Sequence, residues 1–201
     1  VVSGDHPEAK RVFDLDSVSL LTTIKKMRDE SAFLSGRAIS KPPKVFAGST
    51  INPFVPPVKS KVLQLEKKIA AGAGFIQTQY CFDLPMLREF MLEVVDRGLT
   101  ERAFFLPGVG TLASASTARW IQNNVPGVYI PDEIIKRLEG ADDQKKEGQL
   151  ICTELMQQVK EIDGVSGVHV MAYKQEQYVA QMVKNSGVLD GRKPWSPKDN
   201  Y

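Results

Sequence analysis

Cysteine, histidine, long apolar runs and an excess of either charge are all scarce in this chain, and each scarcity closes a class of function. Cys81 and Cys152 are the 2 cysteines among 201 residues. They lie far apart and outside any CxxC spacing, which excludes a disulfide framework and zinc sites of the usual kind. No stretch approaches the roughly 18 apolar residues that a spanning helix needs, so no membrane crossing is expected. Lys plus Arg number 26 against 24 Asp plus Glu, a net charge of +2, which gives no reason to invoke nucleic acid or an anionic membrane. A glycine-rich phosphate fingerprint is missing too. Gly72-Ala73-Gly74 falls where a helix ends, whereas a P-loop or dinucleotide motif sits where one begins. GxSxG and HExxH are also absent, so hydrolase and NTPase readings have nothing to stand on.

What is present is ordinary for a globular protein: 42% hydrophobic and 25% charged residues, which excludes a largely disordered chain. The length suits one domain, or a large part of one, with a continuous core. Val1-Val2-Ser3-Gly4-Asp5 carries no initiator Met, basic region or cleavage pattern, so it is not a signal peptide. It reads as the end of a strand entering a loop, as if the chain began in mid-domain. The expected setting is the reducing cytoplasm.

Short apolar runs alternate with amphipathic segments along the chain. Strands are predicted at Val45-Phe46-Ala47-Gly48, over 74–79, over 102–108 and over 165–172, each closing in Gly, Pro or polar residues. Val58, Val62, Leu65 and Ile69 recur at helical spacing, and Gly72 supplies a stop. Asp83 caps a second helix with Pro85 in its first turn, a stripe of Leu87, Phe90, Met91, Val94 and Val95, and Gly98 at its end. Further helices are expected after Asp16 or Ser17 (Leu20, Leu21, Ile24, Met27), over 131–138, over 144–162, and around Tyr178 to Val183 with Gly187 as stop. Strand–helix–strand alternation implies parallel strands joined by crossover helices. Two folds satisfy it: a doubly wound sheet and a (β/α)8 barrel. The domain is expected over 1–187, and 188–201 reads as a polar tail.

Parallel α/β folds place their sites at the C-terminal ends of strands. Gln77 and Gln79, two apart, point the same way in a strand. Two inward amides are costly unless they bond to each other, to water or to a ligand; they either tie core polar groups together or face a ligand. Asp5, before His6-Pro7, is a turn-forming residue or a site residue. By helical pattern alone Lys68 reads as a solvated lysine; His169, in an otherwise apolar strand, reads as a satisfied core histidine, and both cysteines as small core fillers.

The run Gly4-Asp5-His6-Pro7, then Phe13 to Leu21, then Leu65 through Asp83 with its Ala71-Gly72-Ala73 and Thr78-Gln79 elements, resembles the methylenetetrahydrofolate reductase family. Leu106-Pro107-Gly108-Val109, Ile130-Pro131 and Gly164 to His169 follow in the family's order. The similarity runs from Gly4 to about Gly187. Asn52-Pro53-Phe54 and Gly110-Thr111 look more like anaerobe-type or fused homocysteine-methylating members. The resemblance implies an α/β fold, a (β/α)8 TIM barrel holding FAD, of which this chain covers the end of strand 4 through strand 8 and the last helix. It also implies reduction of 5,10-methylenetetrahydrofolate to 5-methyltetrahydrofolate, the electrons coming from NAD(P)H or a partner redox protein as in acetogen-type enzymes.

Carried over by position, Asp5 matches the catalytic carboxylate beside the flavin that also contacts the pterin, and Gln79 matches the amide that binds folate and nicotinamide in turn. Gly4, Phe13, Asn52, Gln64 and Lys68 match cofactor positions, a cation being favourable near phosphate. Several positions depart from the family. Gly48 stands where a Tyr covers adenine, Ile121 where a Phe closes over nicotinamide and pterin, and Thr117 where a Gln lies. Gln175, beside Lys174, stands where an Arg meets the folate tail. The family's catalytic Glu, with its Thr and His cofactor contacts, precedes the stretch present here. A barrel typically needs roughly 250 residues, so activity is expected only with the N-terminal half of the barrel, in a homo-oligomer or hetero-complex. The alternative is a non-catalytic half-barrel subunit that binds flavin or folate within a larger complex.

Overall fold

The computed structural model describes residues 15–191; Gly4, Asp5 and Phe13 fall outside them. Helix α1 (Ser17–Asp29) begins where Asp16 holds extended backbone and its carboxylate accepts the Ser19 N–H at 2.7 Å. Satisfying a free first-turn donor in this way is what makes Asp an effective cap. Strand β1 (Gly48–Ile51) leads to α2 (Val58–Ala70), which buries Val62, Leu65 and Ile69. Gly72 follows at a φ of 112°, a conformation that favours glycine. Strand β2 (Phe75–Tyr80) then leads to α3 (Leu84–Asp96), capped by Asp83 on the Met86 N–H at 3.0 Å. After β3 (Phe104–Gly110) come α4 (Ala115–Asn124), α5 (Asp132–Glu139) and α6 (Gln144–Lys160). Strand β4 (His169–Met171) and α7 (Val179–Ser186) complete the described chain, with Gly187 left-handed as the stop.

The four strands are parallel and lie in the order β1-β2-β3-β4. A doubly wound sheet reverses its order part-way; this one does not. With right-handed crossovers, an order that never reverses puts all the helices on one face, which is the arrangement of an arc of a (β/α) barrel wall. Burial agrees. Ile76, Thr78 and Phe105 are buried on the helical side, while their neighbours Phe75, Gln77, Gln79 and Phe104 are half-buried or exposed. The core therefore lies between sheet and helices, with Phe90, Phe105, Leu65, Ile76, Leu112 and Met156 fully buried in it. Each contributes about 1.5–3 kcal/mol relative to exposure.

Three expectations shift. The first strand starts at Gly48, not Val45, and Phe46 is 63% exposed. Its ladder runs on through Ser49 and Thr50 because their backbone, not their side chains, pairs with Ile76 and Gln77. The last predicted strand splits: Val165 makes an isolated bridge to Phe105, and regular pairing resumes only at His169. Helix α4 is not among the predicted helices, its buried side being made of the small Ala115 and Ala118. Its signal is the cap, Ser114, whose hydroxyl accepts the Thr117 N–H at 3.1 Å. Beyond Gly187, Val188 still packs on the core, while residues 192–201 lie outside the described part.

Candidate functional site

At the C-terminal end of β2 the ladder is irregular between Gln77 and Tyr80. Thr78, 5% exposed, inserts its hydroxyl into the β2–β3 seam, accepting from the Gly108 N–H at 2.9 Å and donating to the Gln79 carbonyl at 2.8 Å. The Tyr80 N–H turns to the Gln79 side chain instead and donates to Oε1 at 2.9 Å. The close packing requires glycine at two places. A Cβ on Gly108 would lie 2.7 Å from the Thr78 carbonyl oxygen, and one on Gly110 would overlap the Tyr80 ring. That ring also stacks on Phe82 at a centroid distance of 5.8 Å. Burial, and the nearby Cys152 thiol, push the Tyr80 phenol above its ordinary range, so it stays neutral and able to donate.

Beside Tyr80 a cavity of about 310 Å³ opens between the ends of β3 and β4, lined by Thr111, Thr117, Ile121, Lys145, Lys174 and Gln175. The loop after β3 is locked to α6, where the Gln144 side chain accepts the Ala115 N–H at 2.9 Å. A Cβ on Gly148 would overlap the Leu112 backbone, so only glycine lets α6 come this close. Gln175 is 3% exposed and Thr111 8%. Gln175 Oε1 and Thr111 Oγ1 have no hydrogen-bond partner among the described residues. An unpaired buried polar atom costs about 1–3 kcal/mol, and both of these belong to residues that line the cavity. The Lys145 ammonium lies 4.8 Å from the Tyr178 ring centroid, and that of Lys174 lies 5.1 Å from the Tyr173 ring centroid. Both lysines are exposed at the rim.

The residues singled out from sequence divide into three groups. Thr117, Ile121, Lys174 and Gln175, far apart along the chain, meet in this one cavity, with Gln79 next to its Tyr80 wall. Gln77 shares the uncovered side of the sheet but lines no part of the cavity. Asn52 is engaged elsewhere, its Oδ1 accepting the Phe54 N–H at 3.0 Å and its Nδ2 donating to the Gly127 carbonyl at 3.2 Å.

Two expectations drawn from residue pattern differ from the structure. Lys68 is not a solvated lysine: it is half-buried, its ammonium donates to the Thr50 carbonyl at 2.6 Å, and burial and then Lys61 lower its pKa. Its long side chain reaches back across α2 to a carbonyl that β2 does not use, a contact that helical phase does not reveal. Nor is His169 a satisfied core histidine, since its buried Nδ1 has no partner among the described residues. Cys81 and Cys152 are buried, and desolvation pushes both thiols up, Cys152 to about 12. They are inert fillers at neutral pH.

Sequence reading missed Thr111, Tyr80, Tyr173 and Lys145. Thr111 and Tyr80 had a usable signal, as polar-tipped residues at the ends of strands. Tyr173 and Lys145 had none, because their place depends on how α6 and the loop after β4 pack.

Among proteins of known family, the methylenetetrahydrofolate reductase family model matches residues 2–187. A "probable methylenetetrahydrofolate reductase (NADPH)" of Caenorhabditis elegans is 23% identical over 209 aligned positions, covering 98% of this chain and 30% of that protein. The chain thus spans about a third of the length of that relative. Among solved structures, an uncharacterized protein from Clostridium thermocellum, described as binding two copies of 5-methyl-5,6,7,8-tetrahydrofolic acid, superposes with a TM-score of 0.52. It does so at 14% identity, over 82% of this chain and 67% of its own. That likeness speaks to the fold.

Proposed function

The chain belongs to the methylenetetrahydrofolate reductase family, and from that premise we propose that it forms strands 5 to 8 of a folate-reducing (β/α)8 barrel. The observation that carries this reading is the cavity beside Tyr80. Two positions that the resemblance ties to ligand contacts, Ile121 for nicotinamide and pterin and Gln175 for the folate tail, line it together with Thr117 and Lys174. The remaining strands, with the family's catalytic Glu, come from the rest of the barrel.

In this reading Gln79 and Asp5 hold the pterin, and the neutral Tyr80 phenol supplies a hydrogen bond at the cavity wall. Gln175 Oε1 accepts from an amide N–H of the folate, and Lys145 and Lys174 meet its carboxylates. Gly4, Asp5, Phe13, Gln64 and Lys68 serve the flavin. Gln64 and Lys68, four apart on α2, share one helical face. The Lys68 ammonium keeps two N–H groups beyond its bond to Thr50, a donor set that fits a phosphate or ribityl chain. Asn52, whose amide already bonds Phe54 and Gly127, keeps one N–H and one lone pair for the cofactor. A Tyr-like cover for adenine does not fit at Gly48, because the Phe75 ring fills the space a side chain there would take. Bound FAD would supply the hydride that turns 5,10-methylenetetrahydrofolate into 5-methyltetrahydrofolate. The donor is NAD(P)H or a partner redox protein. Ile121 in place of an aromatic ring removes a stacking surface for nicotinamide and favours the partner.

The test is calorimetric titration of the complete protein with 5-methyltetrahydrofolate, alongside methyltetrahydrofolate formation assayed with NADH, NADPH and a reduced low-potential dye. Gln79→Leu is expected to weaken folate binding and leave the flavin absorbance in place. Loss of flavin from that variant would make Gln79 a structural residue, and absence of folate binding by the unaltered protein would overturn the reading.

A further inference from the structure

We propose that Thr78 is a positioning residue that decides which end of the Gln79 amide meets the ligand. The inference rests on the folate reading of Gln79 and deepens it. In a regular parallel ladder the Gly108 N–H bonds to a backbone carbonyl of β2. Here it bonds to the Thr78 hydroxyl at 2.9 Å, and that hydroxyl in turn donates to the Gln79 carbonyl at 2.8 Å. The extra oxygen sits in the seam at the point where the register slips. The Tyr80 N–H is left to the Gln79 side chain, at 2.9 Å from Oε1. A backbone N–H can only donate, so the amide end it meets must be the oxygen. The Gln79 NH2 is thereby turned away from the strand and presents N–H donors. Its partner on the ligand is an acceptor, a carbonyl oxygen or an unprotonated ring nitrogen. Gly108 belongs to the same device, since a Cβ there would press on the carbonyl oxygens of Thr78 and Gln79 at 2.7 and 2.8 Å.

Without the Thr78 hydroxyl, the bridge it makes between the Gly108 N–H and the Gln79 carbonyl is lost, the slip relaxes, and the amide is free to rotate. In the complete protein, Thr78→Val keeps the shape and removes the hydroxyl. It is expected to raise the KM and the Kd for folate about tenfold, the scale of one hydrogen bond, while kcat and flavin content change by less than about twofold. Thr78→Ser is expected to restore binding to within about twofold of the unaltered protein. Unchanged folate binding in Thr78→Val would overturn the proposal, as would Thr78→Ser failing as badly as Thr78→Val, since the lost methyl packing would then be the cause. Should Thr78→Val not fold, Gln79→Glu carries the test. A carboxylate accepts the Tyr80 N–H as before but offers no N–H to the ligand. Lost folate affinity in a folded, flavin-loaded Gln79→Glu protein supports the donor assignment, and retained affinity overturns it. Gln79→Leu separates the two layers. If it binds folate normally, the folate reading of Gln79 fails and the proposal with it. If it binds weakly while Thr78→Val binds normally, the proposal alone fails.

Discussion

Along the uncovered side of the sheet, the N-terminal end carries Phe46, Phe75 and Phe104 in a row, with successive ring centroids 5.5 and 6.3 Å from Phe46. The C-terminal end carries the Gln79 amide, two glycines and a cavity with unpaired oxygens. Both ends belong to the same strands and obey the same alternation. The aromatic end holds no unpaired polar atom among the described residues, yet Phe46 and Phe104 are 63% and 57% exposed. It has apolar surface to bury against something else. At the polar end the backbone is already packed as tightly as glycine permits, and unpaired hydrogen-bonding groups remain. The two ends differ in what would stabilise them, because a large apolar side chain gains by losing water whereas a buried amide gains only by finding a partner.

Variants that break this contrast are ranked by expected effect. The largest is at Phe105, fully buried one residue from the exposed Phe104. Phe105→Ala is expected to cost about 3–5 kcal/mol of stability, and Phe104→Ala under about 1 kcal/mol in this chain by itself, measured by denaturant unfolding. Equal losses would show that the aromatic end is already covered. Next is Gln175→Leu, which removes an unpaired buried oxygen. Stability is expected to hold or rise while folate affinity falls about tenfold, the scale of one hydrogen bond; a parallel loss of both would make Gln175 structural. Lys145→Met is expected to weaken folate about threefold, with the difference fading at high salt, since exposed ion pairs are weak and screened.

The smallest effect lies away from the sheet. The Arg137 guanidinium, bonded to Glu154 and Glu147, holds the Glu154 carboxyl below its ordinary value. A depressed carboxyl stabilises the fold above its unfolded value and loses that contribution as pH falls through its folded one. Glu154→Gln is therefore expected to cost about 0.5 kcal/mol near neutral pH and progressively less on acidification. Urea melts across the acid range read it out, and a pH-independent loss would point to packing.

How much was legible follows from where each interaction partner lies in sequence. Asp16, Asp83, Gly98 and Gly187 were readable as caps and stops because their partners sit within a turn. The stripes of α2, α3 and α6 were readable because burial follows helical period. The motif through Thr78-Gln79 pointed to the family, which the match over residues 2–187 bears out. The bond from the Asn52 amide to Gly127, 75 positions away, was not legible, nor was that from Lys68 to Thr50 on the neighbouring strand. Helix α4 escaped because its buried face is made of small alanines, Ala115 and Ala118, rather than large apolar residues.

By itself the sequence determined the alternation of strands and helices, the local caps and the family, since all three are written in spacings of a few residues or in a contiguous motif. The tertiary structure alone decided that the strands run in one unreversed order, that Thr117, Ile121, Lys174 and Gln175 share a cavity, and that the Thr78 hydroxyl enters the seam beside Gly108. Each of those depends on a backbone group or side chain distant in the chain, such as Gly108 for Thr78 or Leu112 for Gly148. Hydrogen bonds and van der Waals contacts act over a few ångströms of space, whatever the distance along the chain.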